Sequence, residues 1–211
     1  MDDATRKASR KLADQLRRII ARLAVVRPPT DELERAAEAA AVFADRLDGL
    51  PERTQSWEIS EAGLLPRDFT AYSPLSGRNN PIAPPVRLRV VEGKDDDAGE
   101  HRIEGDVTFG AAYEGPPGHV HGGFIAAMFD ELLGFAQLSP GFTAYLHVNY
   151  RKPTPLNTAL TLVAWVDSID GRKRMVRGEC HAGDLLLSDA EGLFIAPRGD
   201  EDFITSLGQQ R

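Results

Sequence analysis

The 211-residue chain has one cysteine, Cys180, so an intramolecular disulfide and a thiolate-rich zinc site are both excluded, and a reducing, cytoplasmic setting is expected. It lacks any apolar run approaching the roughly 20 residues of a membrane-spanning helix. It also lacks positive charge overall: the formal net charge is −7, which argues against a nucleic-acid partner bound by neutralising phosphates. There is no G-x-S-x-G elbow, no Walker loop and no G-x-G-x-x-G after a strand, so a serine hydrolase, a nucleotidase and a dinucleotide oxidoreductase are without sequence support. What is present is ordinary globular composition, 42% hydrophobic and 27% charged, on a length that suits one domain and an extension.

The first 29 residues carry net charge +5, which leaves −12 for the rest. Leu12, Leu16, Ile19, Ile20 and Leu23 recur at helical spacing and form one apolar stripe, with Pro28 and Pro29 ending the segment. Docking on the chain's own domain with a basic solvent face is the favoured reading, and contact with a membrane surface the sharper rival. Thr30 is read as the N-cap of a second helix closed by Gly49 and Pro51. The expected organisation is a helical extension over 1–50, a Pro/Gly/Asn-rich linker or lid over 51–85, one domain over 86–200 and a tail over 201–211.

From Val86 the pattern changes to short alternating runs. VRLRVVEG and HRIEGDVTFG read as strands, GGFIAAMFDELLGFAQL as a helix apolar nearly all round, and FTAYLHVNYRK, ALTLVAWVDSID, RKRMVRGECHAG and LLLSDAEGLFIAP as four more strands. Asp170-Gly171 marks a hairpin turn. The order strand, strand, buried helix, four strands predicts an α+β hotdog fold, a curved antiparallel sheet wrapped around a central helix. Its edge strands invite pairing into a homodimer or a dimer of dimers.

Two acids, Asp130 and Glu131, lie inside the apolar helix. Neighbouring helical positions point about 100° apart, so they cannot share one environment. A carboxylate held in apolar surroundings is pushed toward general-base behaviour. At the start of the same helix stands Gly118-His119-Val120-His121-Gly122-Gly123, whose glycines leave N–H groups exposed at the positive end of the dipole, suited to an oxyanion. Gly123 and Asp130 are two turns apart, about 10 Å along the axis. If both act on one carbonyl, the donor of one subunit must meet the acid of another.

HGGFIAAMFD resembles the HGG…Asp segment of the PaaI-like acyl-CoA thioesterases, with the acid nine positions after the histidine. EGPPGHVHGGFIAAMFDELLG followed by TAYLHVNYRKPTPL is similar to the mammalian mitochondrial long-chain acyl-CoA thioesterases, and the likeness runs from Ser73 to Pro197. The resemblance implies acyl-CoA as substrate, no metal and no cofactor. It also implies Asp130 as general base or nucleophile, Gly122 as the backbone donor to the carbonyl, His121 as an orienting residue and Thr143 as a water-positioning one. Several members place Asn or Gln six residues before the motif histidine as a second donor; here that residue is Gly115, beside Glu114, and the second donor is unassigned.

Gly123, Glu131, His119 and Asn79 are further candidates for substrate contact, and Arg151 and Lys152, with Arg172, Lys173 and Arg174, for the CoA phosphates. Phe124, Met128 and Phe129 read first as core, second as an acyl-chain lining. His119-x-His121 lacks a third ligand at known spacing and reads as a turn rather than a metal site. Cys180 and His181, adjacent on a strand, face opposite ways and cannot share a proton. The alternative to an enzyme is a non-catalytic acyl-CoA-binding or sensing protein on the same fold.

Overall fold

The computed structural model describes residues 3–51, 71–139 and 141–198. Most of the expected linker, 52–70, and the tail over 201–211 lie outside the described residues. Three α-helices are described, α1 (Asp3–Leu23), α2 (Thr30–Asp48) and α3 (Gly122–Ala136). The strands are β1 (Arg87–Glu92), β2 (His101–Val107), β3 (Phe142–Tyr150), β4 (Leu160–Asp170), β5 (Lys173–Ala182) and β6 (Leu185–Ile195).

The six strands form one antiparallel sheet in the order β1-β2-β4-β5-β6-β3, so β1 and β3 are its two edges. Alternation drives this: on β4, Leu160, Leu162, Ala164 and Val166 are buried, and the residues between them are not. Those inward side chains meet α3, which touches β2, β3, β4, β5 and β6. The curved sheet around a central helix is the hotdog arrangement expected from the element order.

Two glycines let helix and sheet come close. A Cβ on Gly178 would stand 3.2 Å from Leu133 Cδ1, and one on Gly192 would stand 3.3 Å from Leu133 Cδ2. Phe109, Phe129 and Phe194 are fully buried around this contact, each contributing about 1.5–3 kcal/mol by leaving water. The composition of α3 predicts burial nearly all round, and the structure departs from that. Ile125, Met128, Phe129, Leu132, Leu133 and Ala136 form one buried stripe, while Phe124 and Phe135 are half-buried, because a single sheet covers only one side of a helix.

The hairpin after β4 is displaced by one residue from its expected place. Asp170 pairs with Lys173, which leaves Gly171-Arg172 as the loop. Gly171 takes φ +55° and Arg172 does not share the positive sign, the pattern of a type II′ turn, whose twist matches the strands.

α1 departs most from its sequence reading. Its apolar stripe is turned to solvent, with Ile19 54% and Leu23 56% exposed, and the docked side is centred on Ala13 and Arg17. Arg17 Nε donates to Ala83 O at 3.0 Å, and Nη2 donates to the carbonyls of Gly77, Arg78 and Asn80 at 3.2, 3.0 and 2.8 Å. Irregular backbone over 77–83 has carbonyls without strand partners, and a guanidinium fork satisfies several at once. α2 has no buried residue. Thr30 is its first helical residue rather than its cap; Pro29 holds the cap position and makes no side-chain bond there.

Candidate active site

Asp130 lies half-buried on α3, and Thr143 Oγ1 donates to its Oδ1 at 2.9 Å. Strict alternation would not bring Thr143 there. Leu146 and Val148 face the core, and Tyr150, on the same parity, reaches α3, so Thr143 should point away. The register against β6 slips between Thr143 and Tyr145, and this irregularity re-aims the threonine toward the helix, a common use of a bulge.

The helix start is organised by His121. It is the N-cap residue, and its Nδ1 accepts from Gly123 N at 3.0 Å, which requires Nδ1 to be unprotonated. The Gly123 N–H is thereby committed, and a Cβ on Gly123 would stand 3.1 Å from that nitrogen. Phe124 N donates to His121 O. The Gly122 N–H has no acceptor among the described residues, as expected for the first turn of a helix. Tyr150 OH donates to Gly122 O at 2.9 Å, so β3 holds both ends of the site, Thr143 at Asp130 and Tyr150 at Gly122. Tyr150 escaped the sequence reading; its parity with Leu146 and Val148 was the available signal.

Glu131 is turned to another task. Its Oε1 accepts from Ser73 Oγ at 2.5 Å and also from Ser76 Oγ, which ties the 71–80 loop to α3. Neither serine stood out in sequence. In the same loop Asn79 is 5% exposed, its backbone N donates to Ala71 O at 2.8 Å, and its side-chain amide has no partner among the described residues.

His119 is held in the loop before α3, its Nδ1 2.9 Å from Pro117 O, and Gly118 N donates to Glu114 Oε1 at 2.7 Å. The two motif histidines thus engage different partners, and among the described residues no three His, Cys, Asp or Glu side chains gather as a metal-binding group. At Gly115 a Cβ would fall 2.7 Å from His121 Cα, so this backbone has no room for the Asn or Gln that the family pattern places there.

Arg151 pairs with Asp189, Arg172 Nη1 donates to Ala196 O at 3.1 Å and Arg174 bonds Ser139. Lys152 and Lys173 are exposed. The site does not draw these cations into one cluster. Cys180 is buried, and burial pushes its thiol up to about 11, against a small opposing effect of the Ser188 hydroxyl. His181 bonds Glu179 at 2.9 Å instead.

The whole described architecture recurs in a solved structure, that of a thioesterase superfamily protein, with 32% sequence identity, a TM-score of 0.73 and coverage of 89% of this chain and 90% of that one. The chain belongs to the thioesterase superfamily. The model of this superfamily matches residues 117–188, which run from the His119–His121 loop through α3 to β6. Two thioesterase relatives match part of the chain: acyl-coenzyme A thioesterase THEM4 of Bos taurus, 35% identical over 88 residues, 41% of this chain and 37% of that protein, and its namesake in Xenopus laevis, 38% identical over 91 residues, 41% of each. The matched part of this superfamily member therefore spans about two fifths of those curated relatives. No helix among the described residues is long and apolar enough to cross a membrane.

Proposed function

We propose that the protein hydrolyses acyl-CoA thioesters to a free carboxylic acid and CoA. The observation that carries the reading is the Thr143–Asp130 hydrogen bond, a carboxylate oriented by a hydroxyl, on a helix whose first N–H, that of Gly122, has no acceptor among the described residues. Named relatives in the superfamily are acyl-CoA thioesterases.

In this reading Asp130 takes a proton from water while the water oxygen attacks the thioester carbon, and Thr143 orients the acid and the water. The negative charge that develops on the carbonyl oxygen is met by the Gly122 N–H and the positive end of the α3 dipole. The C–S bond then breaks and the sulfur leaves as a thiolate, which is competent because thiols ionise near pH 8.5. His121 acts through Gly123 by fixing the helix start, and Tyr150 acts through the Gly122 carbonyl. Lys152, exposed two residues after Tyr150, supplies a cation at the Gly122 end for the CoA phosphates, whereas Arg151 is engaged by Asp189. The partnerless amide of Asn79 is a contact for the acyl portion.

Gly122 and Asp130 are eight residues apart, about 12 Å along the helix axis, whereas donor and base must both lie about 3 Å from the reacting group. One chain cannot supply both to one carbonyl, so the active unit is a homodimer with sites at the interface. The β3 edge, which among the described residues pairs only with β6 and has Tyr145 42% and Tyr150 54% exposed, suits that contact.

Thiol release from acyl-CoAs of increasing chain length, compared between wild type and Asp130→Asn, tests the assignment. Turnover lost by about 10²–10⁴-fold in a folded variant is expected for a general base. No turnover by wild type across the panel, with acyl-CoA still bound, would replace the enzyme with a non-catalytic acyl-CoA binder.

A further inference from the structure

A cavity of about 600 Å³ opens between the first turns of α1, the 71–78 loop and β1. Five arginines line it, Arg6, Arg10, Arg78, Arg87 and Arg89, and among the described residues no acidic one does. Its floor is apolar, formed by Leu88, Ile103, Phe135 and Leu138. This concentration of positive charge stands out in a chain of net charge −7.

The arginines are not equally committed. Arg89 donates to Asp106 and Glu104 at 2.5 and 2.6 Å, and Arg6 to Asp3 at 2.6 Å. For Arg10, Arg78 and Arg87, no carboxylate partner occurs among the described residues. Arg10 Nε is moreover buried without an acceptor, an arrangement that folded proteins seldom leave unanswered. Three uncompensated guanidinium groups over an apolar floor repel one another until an anion joins them, and the guanidinium fork matches phosphate oxygens in pairs. Charge of this multiplicity favours a phosphate over a single carboxylate, and the floor requires that the phosphate be carried on an apolar or aromatic body. The volume is that of a small-molecule site.

We propose that this cavity is a binding site for a phosphorylated, partly apolar ligand, held by Arg10, Arg78 and Arg87. It is not the Asp130–Thr143 pair. β1 is the sheet edge opposite β3, and binding here requires no hydrolysis at Asp130. Two sources offer the chemistry, the nucleotide end of a coenzyme and the headgroup of a single-chain phospholipid. Ser76 lines the cavity and bonds Glu131, the neighbour of Asp130, so occupancy bears on the helix that carries the acid.

Calorimetric titration of the full chain with adenosine 3′,5′-bisphosphate in one arm and monomeric lysophosphatidate in the other tests the site. At least one probe is expected to bind, with affinity falling as salt rises and at least tenfold weaker in the double variant Arg78→Ala/Arg87→Ala. Both residues are exposed, so the fold is kept. Arg10→Lys retains charge without the fork and is expected to weaken binding as well, and Arg35→Ala on α2 to leave it unchanged. Binding of the bisphosphate alone selects the nucleotide source and of the lipid alone the headgroup. If neither binds, or the double variant binds as wild type does, the site does not exist. Running both arms on Asp130→Asn keeps this result separate from any loss of turnover.

Discussion

Thr143 Oγ1 lies 2.9 Å from Asp130 Oδ1, a contact between the start of an edge strand and the middle of the central helix. It leaves the other carboxylate oxygen for water. Thr143→Val keeps the shape and removes the donor, so kcat is expected to fall by about 10–100-fold, less than the roughly 10²–10⁴-fold of a group that itself transfers the proton, with KM little changed. Thr143→Ser should recover most of the loss. Steady-state thiol release checks both, and wild-type kcat in Thr143→Val would remove the threonine from the mechanism.

The 2.7 Å that would separate a Gly115 Cβ from His121 Cα makes a second case. Gly115→Asn restores the side chain that the family pattern places there, yet it must push on the backbone of the N-cap residue. A loss of about 1–3 kcal/mol, the usual cost of forcing atoms into a packed position, is expected in thermal unfolding, with no gain in kcat/KM. An active, equally stable Gly115→Asn protein would mean that this loop yields readily.

Glu131 accepts from two serine hydroxyls of the 71–80 loop. Glu131→Ala leaves both without their acceptor and is expected to cost about 1.5–3 kcal/mol, as for hydrogen bonds to a charged group. The readout is local: amide exchange at Gly77 and Asn79, whose N–H groups donate to Ser73 O and Ala71 O, should accelerate while the β4–β5 ladder is unaffected.

How far the sequence could be read follows from which forces are local. Strands and helix were legible because Leu160, Leu162, Ala164 and Val166 repeat at period two, and Ile125, Met128, Leu132 and Ala136 at helical spacing. The acid pair Asp130-Glu131 and the glycines at the start of the same helix stood out in the sequence, but spacing alone pointed to Gly123, whose N–H the structure commits to His121 Nδ1, and the resemblance alone pointed to Gly122. Thr143 carried no sign in its own strand, because its orientation depends on a register slip against β6 that is a property of two strands. α1 misled for a related reason. Its hydrophobic stripe is a correct description of the helix, but docking is decided by the carbonyls of Gly77, Arg78, Asn80 and Ala83, which lie outside any strand ladder and converge on Arg17. The fate of Glu131 likewise depended on Ser73 and Ser76, more than fifty residues away.

Burial that pushes Cys180 up to about 11 has a practical result. The folded protein keeps the thiol protonated at pH 7–8, so the native chain should not react with a thiol dye over the course of an acyl-CoA assay, whereas the denatured chain should take up one equivalent. The sign for stability follows: between the ordinary cysteine value and about 11, the unfolded chain loses its proton and the folded one does not. Stability therefore declines as pH rises through that window, by about 3 kcal/mol at most. Rapid dye uptake by native protein at neutral pH would contradict the burial.

The interface reading has a sharper test, because the two halves of the site can be broken in different chains. Gly122 is the first helical residue, and His121 before it has φ −62° and ψ 128°, the extended conformation that a residue preceding proline prefers. Proline is well suited to this first position. Gly122→Pro thus removes the one free N–H while leaving the helix intact, and it is expected to fold with turnover reduced by about 10²–10³-fold, the usual effect of losing an oxyanion donor. Asp130→Asn is inactive for the complementary reason. When the two variants are unfolded together and refolded as a mixture, each mixed dimer assembles one site from an intact Asp130 and an intact Gly122. Random pairing then restores about a quarter of wild-type activity in a symmetric dimer. If donor and acid belonged to the same chain, mixing would restore nothing, since every site would contain one broken half.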